Sequence, residues 1–360
     1  MRITFLSPRS NLAGGLRVIA IYARMLRARG HEVTVVIPAR AQPGRRQKLR
    51  ALLHGRHPNP PEPPGHLDDL DLPVIETARA DFHVEPEEIP DADAIVATWW
   101  ETAFAAAAMP PEKGRKFYLI QHHEVHDFLP WQVSRATYYL PLTPIVISNW
   151  LDGILRRIYG RDDARLVPNG IDLTQFHAPV RGKAARPTVG FLYSPYPIKG
   201  SDTALTALAL LRQRFPNLHV VTFGAEPVSP DMPLPPDAEF HLRPAQERIR
   251  DIYAACDVFL CASTAEGFFL PLLEAMACRT PLVSTRVGAA EDLIEPGVTG
   301  YLADVGDAGA LAKGVARILS LSDTEWREMS DRNYQIAQGQ GWDRACDLLE
   351  AVLTGPERAL

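Results

Sequence analysis

Short apolar runs alternate with stretches in which apolar residues recur every three to four positions, and the alternation occurs twice along the chain. Arg2–Ser7 is a short apolar run, and Pro8–Gly15 is a loop closed by Gly14-Gly15. Leu16, Ile19, Tyr22 and Leu26 then share one face of a helix. Gly30 stands where a glycine ends such a helix, and the valine-rich Glu32–Ile37 resumes a strand. Ala94–Thr98, Phe117–Ile120, Ile145–Ser148 and Leu166–Pro168 read as further strands. The grammar restarts with Thr188–Tyr193, His219–Gly224, Asp257–Cys261 and Pro281–Thr285, with helical patterns between them. Such alternation implies parallel strands joined by crossover helices. The predicted class is α/β, with two Rossmann-like, doubly wound parallel-sheet domains facing a cleft. A last helix, Trp342–Leu353, follows from the spacing of Trp342, Ala345, Leu348, Leu349 and Leu353.

A length of 360 residues suits about two domains. Their predicted bounds are 1–176, a linker over 177–187 containing Pro179, Gly182 and Pro187, then 188–338, with 339–360 as a C-terminal helix. Apolar residues make up 46% and charged ones 22%, a mixture that excludes disorder, collagen and a coiled coil. The net charge of −5 argues against a nucleic-acid partner. Cys256, Cys261, Cys278 and Cys346 show no CxxC pairing and read as reduced thiols. No run reaches 18 apolar residues, and Met1–Ser10 lacks a signal-peptide core, so a soluble cytoplasmic protein is predicted. One stretch departs from this balance. Arg40, Arg45, Arg46, Lys48, Arg50 and Arg56 occur with no acid before Glu62, and Pro58, Pro60, Pro61, Pro63 and Pro64 follow. This is either a solvated excursion or a basic segment, 40–56, making peripheral contact with the inner face of a membrane or with an anionic acceptor.

Three places carry candidate chemistry. In Glu266-Gly-Phe-Phe-Leu-Pro-Leu-Leu-Glu274, Pro271 suits the first turn of a helix. The amides of Phe268, Phe269 and Leu270, with those of Leu272 and Leu273, then stand free to hold a phosphate at the helix start. Glu266 lies on the loop before that helix and Glu274 in its first turn. A carboxylate accepts from two vicinal hydroxyls, so one acid suits a ribose and the other a sugar, unless Glu274 merely faces the helix dipole. Lys199-Gly200, between a strand and a helix, is a second anion site or else a surface charge. Gly14-Gly15 is a third, or else a tight turn. All three follow strand C-terminal ends, where open α/β sheets bind ligands.

Glu266 and Glu274 with seven residues between them, together with Val167-Pro-Asn-Gly-Ile-Asp172, Cys256-Asp-Val-Phe-Leu260 and Val298-Thr-Gly-Tyr-Leu302, resemble family 4 of the retaining glycosyltransferases. The N-terminal Gly-Gly with Arg29-Gly-His-Glu-Val33, and Gly341-Trp342-Asp343, resemble it too. The resemblance spans most of the chain, weakest over 38–115, and implies the GT-B fold, with the acceptor on the N-terminal domain, the donor on the C-terminal one and the last helix crossing back. Gln121-His-His-Glu124 and Tyr193-Ser-Pro-Tyr-Pro-Ile-Lys-Gly200 are most similar to a bacterial branch containing rhamnosyltransferases. The implied function is metal-independent, retaining transfer of a hexose or deoxyhexose from a nucleotide-diphosphate sugar, in glycan, polysaccharide or glycoconjugate biosynthesis. The acceptor would be a glycan, a lipid-linked molecule or a small molecule, and no cofactor is expected.

The implied roles are ribose binding for Glu274, donor-sugar binding for Glu266 and diphosphate binding for Lys199. The amides of Phe268, Phe269 and Leu270 would meet phosphate or sugar oxygens, Gly14-Gly15 would lie against the diphosphate, and His123, or else His122, matches the family's cleft histidine. Two departures stand out. Ser194 occupies the position of a family arginine, so the leaving-phosphate charge would be met by Lys199, by helix ends or by another base such as Arg17 or Arg243. Phe269 occupies the position of a glycine, where a large side chain narrows the room for backbone contact. Both features also suit an alternative, a non-catalytic nucleotide-sugar-binding partner protein with this fold. A dinucleotide oxidoreductase is disfavoured, since Gly14-Gly15 is not Gly-x-Gly-x-x-Gly and the second strand ends Ile37-Pro38.

Weaker motifs read as structural. Asn169-Gly170 is a tight-turn pair, and Glu291 a loop or cap anchor. Asp69-Leu-Asp71 and Asp91-Ala-Asp93 sit in the wrong context for a metal-binding Asp-x-Asp. His122-His-Glu-Val-His126 is one residue short of a zinc helix motif.

Overall fold

Runs of Val, Ile, Phe and Leu too short for helices, buried on both faces, make the strands of two parallel sheets. The computed structural model describes residues 1–55, 57 and 64–356. Arg56, Pro58, Pro60, Pro61 and Pro63 of the basic, proline-rich stretch and the last four residues of the 339–360 segment lie outside the described residues. The chain divides into two units, one of Met1–Val146, Ile154–Val167 and Cys346–Leu360, the other of Ile147–Gly153 and Pro168–Ala345.

The first unit runs β1 (Arg2–Leu6), α1 (Gly14–Ala28), β2 (Glu32–Ile37), α2 (Arg45–Leu53), β3 (Val74–Glu76), β4 (Ala94–Ala97), α3 (Trp100–Ala108), β5 (Arg115–Ile120), α4 (Trp131–Ala136) and β6 (Thr143–Val146). Helix α5 (Asn149–Tyr159), whose residues from Ile154 onward belong to this unit, and β7 (Arg165–Leu166) follow. The sheet order is β3-β2-β1-β4-β5-β6-β7, with every pairing parallel. Gly14 is the first residue of α1, so the glycine pair opens the helix and the loop ends before it. Leu16, Ile19, Tyr22 and Leu26 are buried as their spacing predicts. At the far end Gly30 takes φ +89°. There His31 N–H reaches the Leu26 carbonyl at 3.2 Å and Gly30 N–H that of Arg27 at 2.9 Å, the paired closure that a left-handed glycine permits.

The second unit holds β8 (Thr188–Leu192), α6 (Ser201–Arg214), β9 (His219–Gly224), β10 (Glu239–Leu242), α7 (Gln246–Ala254), β11 (Val258–Cys261), α8 (Leu270–Ala277), β12 (Leu282–Thr285) and α9 (Ala290–Leu293). Then come β13 (Gly300–Ala303), α10 (Ala308–Leu319), α11 (Asp323–Gln338) and α12 (Trp342–Thr354), whose residues from Cys346 onward belong to the first unit. Its sheet is also parallel, in the order β10-β9-β8-β11-β12-β13. In both sheets the strand order reverses beside the first strand, between β1 and β4 and between β8 and β11. Loops leaving such a switch point diverge and leave a crevice for a ligand.

The segment 177–187 is fastened within the second unit. Arg181 stacks 4.5 Å from the ring centroid of the fully buried Trp326. Lys183 donates to the carbonyls of Leu319 and Leu321 at 2.7 and 2.8 Å. A Cβ at Gly170 would come within 2.5 Å of the Trp342 amide nitrogen, so Asn169-Gly170 serves close packing as well as turning. The four cysteines are buried and form no disulfide with one another. Burial pushes the Cys256 thiol up to about 12, far from reactivity. Asp71 pairs with Arg27, Asp91 with Lys113 and Asp93 with Arg2, giving both Asp-x-Asp motifs ion-pair work. Glu291 pairs with Arg286 at 2.9 Å. Among the described residues, no helix is long and apolar enough to cross a membrane.

Candidate functional site

Lys199 follows β8, and Ser263 and Glu266 follow β11, its neighbour across the switch point. These two loops meet. Lys199 Nζ lies 2.8 Å from Glu266 Oε1 and 3.1 Å from Oε2. Ser263 Oγ donates to the same Oε1 at 2.8 Å. Glu266 is 5% exposed, whereas about a third of the Lys199 side chain is open. The ammonium is thus the wet end of a buried carboxylate pair. Gly200 makes the approach possible: its φ is +62°, and a Cβ there would lie 1.9 Å from the Ala262 carbonyl oxygen at the end of β11. Thr264 N–H closes the two loops together on the Ile198 carbonyl at 2.9 Å.

Beyond Glu266 the chain turns into α8. Phe269 takes φ +68° and ψ 72°, a left-handed conformation that side chains adopt only at a cost of about 1–3 kcal/mol. Its ring is buried and faces Lys199 Nζ at 5.6 Å, so the side chain packs on the ammonium at this strained corner. Pro271 lies in the first turn as predicted. Two details differ from the sequence expectation. Leu272 N–H is engaged by the Phe269 carbonyl at 3.1 Å. Glu274 lies one turn further into α8, because the helix begins at Leu270. Among the described residues, the N–H groups of Phe268, Phe269 and Leu270 donate to no backbone carbonyl. The loop beneath them is held by Ala289 N–H on the Phe268 carbonyl at 2.9 Å and by Ser148 Oγ on that of Gly267 at 2.7 Å. Glu274 is buried and its Oε2 accepts from Tyr253 Oη at 2.9 Å. Burial, with that carboxylate beside it, holds the Tyr253 phenol far above its usual range.

Ser194 does not supply a substitute cation. Its N–H donates to Ser201 Oγ at 3.0 Å and its hydroxyl accepts from Tyr196 N–H at 3.3 Å, so it shapes the turn before Lys199. Arg243 follows β10 with φ +48°, donates to the Ala225 carbonyl at 2.6 Å and is largely exposed. It makes no contact with Lys199 or Glu266. Arg17 lies on α1 of the first unit.

In the first unit, Gly15 and the loop after β5 come together. Gln121 Nε2 donates to the Gly15 carbonyl at 3.1 Å, and a Cβ on Gly15 would rest 3.4 Å from the Gln121 amide group. Gly14 is exposed. His123 Nε2 shares a 2.7 Å hydrogen bond with Tyr159 Oη. Burial, reinforced by His122 and His126, pushes this imidazole down to about 4, so it is neutral at ordinary pH. His122 Nδ1 and His126 Nε2 lie 3.2 Å apart. Sequence reasoning gave no role to Glu124. It is 2% exposed, and its Oε2 accepts from Trp100 N–H at 2.8 Å and Tyr118 Oη at 3.3 Å. Its own N–H donates to Tyr138 Oη at 2.8 Å, and Ser134 Oγ donates to its carbonyl. Its place in Gln-His-His-Glu beside an apolar strand was the only sequence signal.

Comparison with known proteins assigns both halves. The family model "Glycosyltransferase Family 4" matches residues 13–175, and "Glycosyl transferases group 1" matches residues 186–321. The chain belongs to glycosyltransferase family 4. This family 4 chain is 32% identical over 192 residues to D-inositol 3-phosphate glycosyltransferase 2 of Catenulispora acidiphila, covering 46% of this chain and 45% of that one. It is 39% identical over 87 residues to N-acetyl-alpha-D-glucosaminyl L-malate synthase of Bacillus anthracis, covering 24% and 23%. The chain thus spans half or less of the length of these curated relatives. Among solved structures, HepE of Anabaena in complex with UDP superposes with a TM-score of 0.75 at 19% identity, covering 99% of this chain and 100% of that one. Sucrose-phosphate synthase of Thermosynechococcus elongatus gives a TM-score of 0.73 at 18% identity, covering 98% of each. The family 4 chain therefore has the GT-B fold, with parallel sheets of seven and six strands.

Proposed function

We propose that this protein transfers a sugar from a nucleotide-diphosphate donor to an acceptor hydroxyl, with retention at the anomeric carbon. One observation carries the reading: Lys199, Glu266 and Ser263 meet at the β8/β11 switch point, beside the open amides of Phe268–Leu270. Such a site offers a cation and fixed donors to a diphosphate, and carboxylates to hydroxyls. Without donor, Lys199 and Glu266 satisfy each other. With donor, the diphosphate takes the ammonium, and the freed Glu266 carboxylate accepts from sugar hydroxyls, so both remain paired. The leaving diphosphate accumulates negative charge as its bond to the anomeric carbon breaks. Lys199 and the amides are already aimed at it, which makes this stabilisation electrostatic and preorganised. The acceptor oxygen forms its bond on the leaving-group face, and the departing phosphate oxygen takes its proton. No metal ion is needed for this balance, so a chelator is expected to leave the rate unchanged. In the first unit, neutral His123 offers an imidazole, and Gly14-Gly15 at the start of α1 offers main-chain N–H groups to the diphosphate.

Glu274 is proposed to hold the ribose hydroxyls. A hydrogen bond to a charged group contributes about 1.5–3 kcal/mol, so Glu274→Gln is expected to raise the donor KM about 10- to 100-fold. Gln keeps an acceptor for the Tyr253 hydroxyl, so the melting temperature should hold. An unchanged KM for the donor in steady-state assays would remove Glu274 from the site.

The donor base is proposed to be uracil, since HepE is described with UDP and with UDP-glucose, and the transferred group a hexose or deoxyhexose of the rhamnosyltransferase branch. Thermal-shift titration with UDP, ADP, GDP and dTDP tests this. The preferred nucleotide at one hundred times its Kd should stabilise the fold by about 2.7 kcal/mol. A response to none of the four would sink the reading. The turn-forming role of Ser194 and the strained Phe269 favour a second reading, a nucleotide-sugar binder without turnover. Donor binding with neither hydrolysis nor transfer into a cytoplasmic glycan or lipid-linked acceptor pool would select it.

A further inference from the structure

The chain between Glu32 and Glu62 contains no acid, and it includes α2 (Arg45–Leu53). Leu49, Leu52 and Leu53 recur at three- and four-residue spacing, which sets them on one stripe of that helix. They are 60, 59 and 77% exposed, where a leucine stripe of a helix packed on its own sheet would be covered. Arg46, Lys48 and Arg50 are exposed as well, and none has an ion-pair partner among the described residues. On a helical projection Lys48 and Arg46 flank the stripe on opposite sides. A short apolar stripe between unpaired cations is complementary to a surface that is apolar below and anionic above.

We infer that α2 is a membrane-contact element that lays Leu49, Leu52 and Leu53 into the headgroup boundary of an anionic bilayer while Arg46, Lys48 and Arg50 meet lipid phosphates. Charge decides this occupant over a second copy of the chain: two such helices would bring like charges together. The inference does not depend on the transfer reaction, and its test leaves the nucleotide site untouched.

Sedimentation of the whole protein with vesicles of phosphatidylcholine, with and without phosphatidylglycerol, tests it. Binding is expected only to the anionic vesicles, with loss in added salt. The triple variant Arg46→Gln/Lys48→Gln/Arg50→Gln should weaken partitioning about fivefold for each cation removed. Leu49→Ser/Leu52→Ser/Leu53→Ser should abolish binding at equal charge. Because these side chains are exposed, both variants should keep the melting temperature and the nucleotide thermal shift of the parent. Equal binding to neutral vesicles, no binding, or variants that bind like the parent would overturn the proposal. So would a lipid-free dimer that the leucine variant dissolves, because it would assign the stripe to a second copy.

Discussion

Lys199→Met is expected to lower kcat/KM for glycosyl transfer by about 10²–10³, the usual effect of removing one preorganised group aimed at developing charge. The linear apolar side chain keeps the packing against Phe269 and removes only the ammonium. Folding has to be separated from chemistry, because Glu266 loses the cation 2.8 Å away and keeps the Ser263 hydroxyl. A buried carboxylate stripped of its partner destabilises a fold, an effect moderated here because Lys199 is partly open to water. The double variant Lys199→Met/Glu266→Gln removes the charge as well as the partner. It should recover the melting temperature lost in the single variant and leave transfer as slow or slower. Near-parental turnover by a folded double variant would end the assignment of Lys199 to the leaving group.

The parallel architecture was readable from composition alone where strands are buried on both faces. Arg2–Leu6, Glu32–Ile37, Thr188–Leu192 and His219–Gly224 are near-continuous apolar runs, and they form as predicted to within a residue or two. Three strands escaped. Val74–Glu76, Glu239–Leu242 and Gly300–Ala303 are all edge strands, β3 of the first sheet and β10 and β13 of the second. An edge strand is paired on one side only, so part of its surface stays wet and its run stays short, as in Val74-Ile-Glu76, or is broken by polar residues, as in Glu239-Phe-His-Leu242. The sequence signal fades for the same reason the burial does.

The site was legible as a set of residue types and illegible as a set of contacts. Nothing in the spacing of Lys199 and Glu266 says that they touch, since 67 positions separate them. Their contact follows from β8 lying beside β11, and from Gly200 letting one loop press on the end of the neighbouring strand. Phe269 shows the opposite case. A glycine is expected there, and the structure explains why: the backbone is left-handed at φ +68°. The chain tolerates a phenylalanine because its ring is buried against the Lys199 ammonium.

Glu124→Gln is expected to stabilise the protein increasingly as pH rises from about 5 to 9, by about 3–5 kcal/mol at the alkaline end. Burial pushes the Glu124 carboxyl up to about 8 from an ordinary value of 4.5, and the charge of Glu101 adds to the shift. A raised acid is favoured in its neutral form by the fold. Its contribution is therefore fully present below the unfolded value and is lost as pH climbs through the folded one. Gln keeps a neutral oxygen for Trp100 N–H and Tyr118 Oη but cannot ionise. Nearby groups do not mimic this slope. Burial holds the Tyr118 and Tyr138 phenols far above their usual range, so both stay neutral throughout. His123, pushed down to about 4, destabilises the fold only as pH falls below the ordinary imidazole range, and does so equally in both proteins. Melting temperatures of parent and variant should coincide below about pH 4.5 and separate progressively as pH rises from there to about 8. Parallel curves would mean that Glu124 is not a neutral anchor. If they diverge, the loop from Gln121 to His126, which also supports Gly15, is held by a group whose ionisation loosens it, and parental transfer activity should fall as pH passes about 8 while the variant's does not.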